Sequence, residues 1–147
     1  MFFEEGDWID KDTIKKVFNL KGYARGINTS KAQNIIVCIS AEKGPGNPYI
    51  DKWYHNDEYD GILYTGEGQK GDQKLTRGNK NLADKRKAHF FRKVKQRYLY
   101  CGEFLLKECI QKMENGIDGL PRIVFKFNMK YSGNHYPEKL RKEMNKL

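Results

Sequence analysis

Two carboxylates and a lysine are the first residues with chemistry to offer. Asp72-Gln73-Lys74 is the only Asp-x-Lys in the chain, and Asp60 lies twelve residues upstream. Paired acids can hold a divalent cation while a lysine stabilises the reacting phosphate, so Asp60, Asp72 and Lys74 could build a small metal-dependent nuclease. The setting ranks this reading low: an Asp-x-Lys arises by chance in a Lys-rich chain, and a Gly-rich loop positions a metal poorly. His55-Asn56-Asp57 is too short a fragment for a His-Asn-His site. His55, His89 and His135 are scattered and adjoin no cysteine pair, so neither zinc nor any other cofactor is expected. Cys38, Cys101 and Cys109 are odd in number and lack Cys-x-x-Cys spacing, which fits a reducing cytoplasm.

Gly66-Glu67-Gly68-Gln69-Lys70-Gly71 matches G-x-G-x-x-G after a strand-like run. A dinucleotide site would also need an acid about 20 residues on, where the chain instead reads His89-Phe90-Phe91-Arg92. No Gly-Lys-Ser/Thr follows either, so nucleotide binding is set aside.

Charge points to a different ligand. The 147 residues carry a formal +9, and residues 70–97 alone hold eleven basic residues against Asp72 and Asp84, a net equal to the whole. Such a block suits a polyanion; a solvated helix face is the plainer alternative. Aromatics flank it, with Tyr49, Trp53, Tyr54, Tyr59 and Tyr64 before and Phe90, Phe91, Tyr98 and Tyr100 after. Rings can stack on bases while Lys and Arg neutralise phosphates. Phe90, Phe91 and Tyr98 read better as core, whereas Tyr49, Trp53 and Tyr64 flank loops and fit either role.

The elements that must position these residues follow from pattern. Asp12 is placed to cap a helix presenting Ile14, Val17 and Phe18 on one face, with Gly22 to end it, so residues 1–33 read as a helical N-terminal extension. Residues 34–40 are a β-branched run fit for a buried strand, and 61–65 form a second. Gly44-Pro45-Gly46-Asn47-Pro48 breaks regular structure between them. Thr76 to Lys87 reads as a helix capped by Thr76, and strands are expected at 88–94, 97–107 and 122–130. In the last, Ile123, Phe125, Phe127 and Met129 take one face and Val124, Lys126, Asn128 and Lys130 the other. Pro137 opens a closing helix within 131–147. A 38% hydrophobic fraction with no apolar run near ~18 residues gives a folded α+β domain and no membrane span. The expected organisation is one domain over 1–147, with a core at 34–130.

Tyr64-Thr65-Gly66-Glu67-Gly68, followed by Asp72-Gln73-Lys74-Leu75-Thr76 and Asn79-Lys80, resembles the core motif of SRA domains, readers of modified cytosine on the PUA-like superfold. Arg97-Tyr98-Leu99-Tyr100-Cys101-Gly102-Glu103-Phe104 is similar to the penultimate strand of bacterial members that accompany nucleases. The resemblance implies a curved mixed β-sheet or β-barrel flanked by helices. It implies a pocket in which Tyr64 stacks on an extruded base and Thr65 and Gly66 line the wall, with Tyr49, Asp51 and Trp53 as candidates for the second face and the base edge. An aspartate accepting from an exocyclic amine favours cytosine. DNA-backbone and loop contacts are then expected from Gln69, Lys70, Gln73, Lys74, Arg77, Asn79, Lys80, Lys85, Arg86 and Lys87. The implied function is recognition of double-stranded DNA bearing a modified nucleotide in a restriction or defence system, in the cytoplasm or on the nucleoid. No catalysis is expected of the chain itself; a nuclease or ATPase partner would act. A phosphorothioate-DNA or modified-RNA reader on the same superfold is the alternative.

Overall fold

Asp10, rather than the expected Asp12, starts the first helix, its carboxylate accepting from the Thr13 N–H at 2.8 Å and the Thr13 hydroxyl at 2.9 Å. In the computed structural model, which describes residues 3–22 and 26–147, β1 (Trp8–Ile9) precedes this helix, α1 (Lys11–Val17). The helix stops at Phe18, before Gly22, and the chain continues into β2 (Gly26–Ser30). The extension expected to be helical over 1–33 therefore contains two strands and one short helix; residues 1, 2 and 23–25 of that stretch lie outside the described ones. There follow β3 (Ile35–Ala41), β4 (Lys52–His55), β5 (Asp60–Thr65), α2 (Arg77–Lys85), β6 (Lys87–Val94), β7 (Arg97–Asn115), β8 (Pro121–Tyr131) and α3 (Glu138–Met144).

One mixed sheet joins the strands in the order β2-β3-β6-β7-β8-β5-β4, with β1 added to β7. Among the described residues only β3 and β6 pair in parallel, Val37 opposite His89 through Ala41 opposite Lys93. The path runs from β2 to β4 without returning, so the fold is α+β with an open sheet, and the closed-barrel alternative is dropped. Both faces of β3 are covered, which is why its sequence is a continuous apolar run. Val37 and Ile39 meet Ile14 and Phe18 on the α1 side. Ile36 and Cys38 belong to the larger core with Leu82 of α2, Phe90, Phe104, Phe127 and Leu140 of α3.

Three expectations need adjustment here. The β7 strand runs on to Asn115, well past 107, forming a long hairpin with β8. Val124 and Lys126, placed by alternation on the face opposite Phe125 and Phe127, are buried too, so β8 is covered on both faces here. Thr76 occupies the N-cap of α2, yet its side chain makes no capping bond. No described helix is long and apolar enough to cross a membrane.

Candidate nucleic-acid interface

A cavity of about 450 Å³ opens where the ends of β3 and β5 meet the loops 44–51 and 66–71, within the ~300–1,000 Å³ usual for small-ligand sites. Tyr49, Asp51, Tyr64 and Thr65 line it, together with Glu67, Gly68, Gln69 and Lys93.

The 44–51 loop is built by its own polar groups. Gly44 and Asn47 exchange backbone hydrogen bonds of 3.1 and 2.9 Å, and Asn47 Oδ1 accepts from Tyr49 N–H at 3.2 Å. Tyr49 then spans to the opposite loop, its hydroxyl accepting from Gly68 N–H at 3.0 Å. Two residues on, Asp51 Oδ1 accepts from Thr65 N–H and Oδ2 from the Ser40 hydroxyl, both at 2.7 Å. Burial pushes the Asp51 carboxyl above the usual aspartate value, and these two bonds and the charge of Lys126 oppose that rise.

Tyr64 is 2% exposed. Its hydroxyl donates to Ile39 O at 3.0 Å and its ring meets Phe90 edge-on, 5.1 Å between centroids. It is a wall of the cavity rooted in the core, so little side-chain entropy remains to be lost there. Thr65 donates its hydroxyl to Ile50 O at 2.9 Å and accepts from Lys126 Nζ at 2.7 Å. Lys126 also donates to Ile50 O at 2.7 Å and pairs with Glu114 at 2.8 Å, the lysine nearly sealed from solvent. A buried lysine thus ties the Ile50-Asp51 turn to the end of β5. Alternation along β8 hid this role, since it only set Lys126 on the face opposite Phe125 and Phe127. Only its register opposite Thr65 reveals it.

The 66–71 loop is held by the second block of the motif. Gln73 Nε2 donates to Gly66 O at 2.6 Å and Gly68 O at 3.2 Å, while its Oε1 accepts from Phe125 N–H at 2.8 Å. Asn79 Oδ1 accepts from Glu67 N–H at 2.7 Å, and Nδ2 donates to Glu67 O and Lys74 O at 3.0 Å each. Asp72 accepts from Ile123 N–H at 2.8 Å, and Arg122 donates to the Gly68 and Gly71 carbonyls. A Cβ on Gly66 would lie 2.8 Å from Asn79 Oδ1 and 2.9 Å from Gln73 Oε1, and Gly68 sits at φ +119°, so neither position takes a side chain without strain. Gln73 and Asn79 are accordingly corrected from backbone contacts to buried braces of the loop.

Trp53 is corrected as well. It stands outside the cavity lining, packed edge-on against Phe90 and Phe104 at 6.4 and 6.0 Å, with the Arg92 guanidinium 5.5 Å over its ring. Tyr49 is the aromatic that faces the cavity with Tyr64. Among the basic residues, Lys70, Lys74, Arg77 and Lys80 are exposed around the loop and the start of α2. Lys80 pairs with Asp84 at 2.8 Å, Arg86 donates to Leu106 O at 3.1 Å, and Lys87 lies 4.0 Å from Glu103. Arg97 covers the Trp8 ring at 4.3 Å. Lys93 and Glu67 line the cavity and were missed, because one sat in a charge run and the other inside a glycine motif.

The nuclease set does not assemble. Asp60 begins β5 and Asp72 follows the loop beyond its end, and six strand residues separate such ends by roughly 17 Å. Cys38 and Cys101 are buried, and burial pushes both thiols up, away from reactivity.

A family model described as "ScoMcrA-like, SRA domain" matches residues 6–146, beyond the 34–130 stretch on which the resemblance was placed. Among solved structures, the chain is similar to the type IV phosphorothioation-dependent restriction endonuclease ScoMcrA, at 22% identity and TM-score 0.68, covering 97% of this chain and 28% of that one. It is also similar to the sulfur-binding and SRA domains of ScoMcrA complexed with phosphorothioated DNA, at 22% identity and TM-score 0.69, covering 97% and 45%. The SRA domain of SUVH5 in complex with hemimethylated CG DNA matches at 26% identity and TM-score 0.67, covering 92% of each chain. The chain thus spans under half the length of the two ScoMcrA chains. No curated protein matches its sequence.

Proposed function

This chain belongs to the family of ScoMcrA-like SRA domains, and from that premise we propose that it reads DNA duplexes carrying a modified cytosine, taking the base out of the stack into the Tyr49–Tyr64 cavity. One observation carries the reading: two tyrosines and a carboxylate fixed by Thr65 N–H and the Ser40 hydroxyl face one cavity. Extrusion costs a few kcal/mol. Stacking recovers about 1–3 kcal/mol per aromatic face, and a hydrogen bond from the cytosine amine to a charged acceptor adds about 1.5–3 kcal/mol. These terms offset the cost without catalysis. Lys70, Lys74, Arg77 and Lys80 would hold the phosphates beside the cavity, with Lys85, Arg86 and Lys87 adding general attraction.

The similarity to a complex with phosphorothioated DNA keeps that ligand as the second reading. Asp51 and Glu67 both line the cavity, and two acids disfavour an anionic phosphorothioate there. That ligand would have to meet the basic surround instead. Cleavage is proposed to lie elsewhere, in a nuclease or ATPase partner or in a longer parent chain, working on DNA in the cytoplasm or on the nucleoid.

The test is a panel of short duplexes identical except for one modification, titrated at two salt concentrations. Preference for a modified cytosine over its plain counterpart is expected, and it should fall in Asp51→Asn. Equal affinity for every duplex would overturn the reading. Tyr64→Ala is the poorer probe, because removing a buried ring also costs about 3–5 kcal/mol of stability.

A further inference from the structure

At the end of the β4–β5 hairpin away from the cavity, three residues remote in sequence converge. His55 is the cross-strand partner of Asp60, and its Nδ1 contacts Asp60 Oδ1. The loop after β8 is pinned to the same aspartate: Asp60 N–H donates to Asn134 O, and Tyr136 N–H donates to Asp60 Oδ2, each at 2.7 Å. That pinning brings His135 Nδ1 to 3.6 Å from Asp60 Oδ2. Ligand atoms of His55, Asp60 and His135 all lie within 4.8 Å of one another. The reading of the histidines as scattered is therefore corrected for His55 and His135, while His89 stands apart in β6.

We infer that His55, Asp60 and His135 form a binding site for a divalent transition cation of the Zn²⁺ class. With metal–ligand bonds of about 2.0–2.1 Å, tetrahedral ligand atoms stand about 3.4 Å apart, close to the His135–Asp60 separation, while the His55–Asp60 contact is shorter and would open as the cation enters. The surrounding bonds are those a metal site requires. His135 Nε2 lies 3.2 Å from Asp57 O; a proton on Nε2 leaves the Nδ1 lone pair free to face the site. Tyr136 N–H orients the ligating carboxylate in the same way. The two imidazole rings are tilted by 53° with centroids 5.3 Å apart, converging rather than stacking. Asp60 is buried while the His55 and His135 side chains are 71% and 41% exposed, so water completes the coordination. Two imidazoles and one carboxylate favour Zn²⁺, Ni²⁺ or Cu²⁺ over Mg²⁺ or Ca²⁺. The cation would brace edge strand β4 to the loop that leads into α3, a structural role independent of DNA reading.

The experiment uses the full chain without a histidine tag, dialysed against chelator and titrated with ZnCl₂, NiCl₂ or MgCl₂ by calorimetry and thermal melting. One equivalent of Zn²⁺ should bind and raise Tm by several degrees, with no response to Mg²⁺. Co²⁺ should give visible d–d bands without thiolate charge transfer. His55→Ala alters an exposed side chain and should fold normally while weakening Zn²⁺ at least ten-fold; His55→Ala with His135→Ala should abolish binding, and Cys109→Ser should leave it intact. Silence of the unaltered chain toward Zn²⁺ would overturn the inference, as would binding that survives the double variant or is lost in Cys109→Ser.

Discussion

The β4–β5 hairpin carries an aspartate near each end, and the two are put to opposite uses. Asp51 receives hydrogen bonds from a backbone N–H and a hydroxyl, and it faces a cavity with two tyrosines. Asp60 receives one backbone N–H and sits against two imidazoles. One residue type thus yields an acceptor aimed at a base edge in one place and a ligand aimed at a cation in the other. The neighbours decide: Lys126 and Ser40 meet the Asp51 end from beneath, whereas the Asp60 carboxylate meets the loop after β8 through Tyr136 N–H and His135.

Changes that strike one end alone sharpen this contrast. Lys126→Met has the largest expected effect. It leaves the largely shielded Glu114 without its partner and removes a donor from Thr65 Oγ1 and Ile50 O, which should cost about 3 kcal/mol in urea denaturation. A loss near zero would mean that the Asp51 end stands without its buried lysine.

Asp51→Asn comes next. Asparagine can still accept from Thr65 N–H and offer a donor to Ser40 Oγ, so stability should hold while preference for modified cytosine falls about ten- to a hundred-fold, as expected for losing ~1.5–3 kcal/mol. Asp60→Asn should leave that preference unchanged. If the two variants lost selectivity equally, the hairpin ends would not be separate sites.

Replacing Lys85, Arg86 and Lys87 together by Ala should weaken modified and plain DNA alike. The log–log salt slope should drop by at most about 0.9 for each phosphate no longer neutralised. Arg86 and Lys87 already lean on Leu106 O and Glu103, so the drop should fall short of the value for three phosphates.

The smallest effect is in pH. The Asp51 carboxyl titrates above its unfolded value of 3.8, so the folded chain binds the extra proton between that value and its own raised pKa. Stability should therefore decline as pH rises through that window, and Asp51→Asn should flatten the decline. Over the same window, falling pH should weaken selective DNA binding as the acceptor is protonated.

Much of the Asp51 end is legible in the chain. The run before Ser40, the Gly-Pro break and the Tyr-Thr-Gly and Asp-Gln-Lys-Leu-Thr blocks are local signals, and local signals survive folding. Lys126 was hidden because alternation assumes that one face of a strand is wet, and at this register β8 is covered on both. The β2 segment Gly-Ile-Asn-Thr-Ser has weak strand propensity and pairs because β3 presents a partner. His55, Asp60 and His135 meet through a ladder and a loop far apart in sequence, which no spacing rule encodes.

The pairing order of the sheet has a consequence in time. The β7–β8 ladder closes over a short turn at residues 116–120, whereas β3 must find β6 and β5 must find β8 across long stretches of chain. Distant pairings lose loop-closure entropy before any contact compensates, so the local hairpin should lead and the cavity should close last. In kinetic terms, Val124→Ala should slow refolding, and Tyr64→Phe should chiefly hasten unfolding. The reverse assignment of those rates would place the cavity in the folding nucleus.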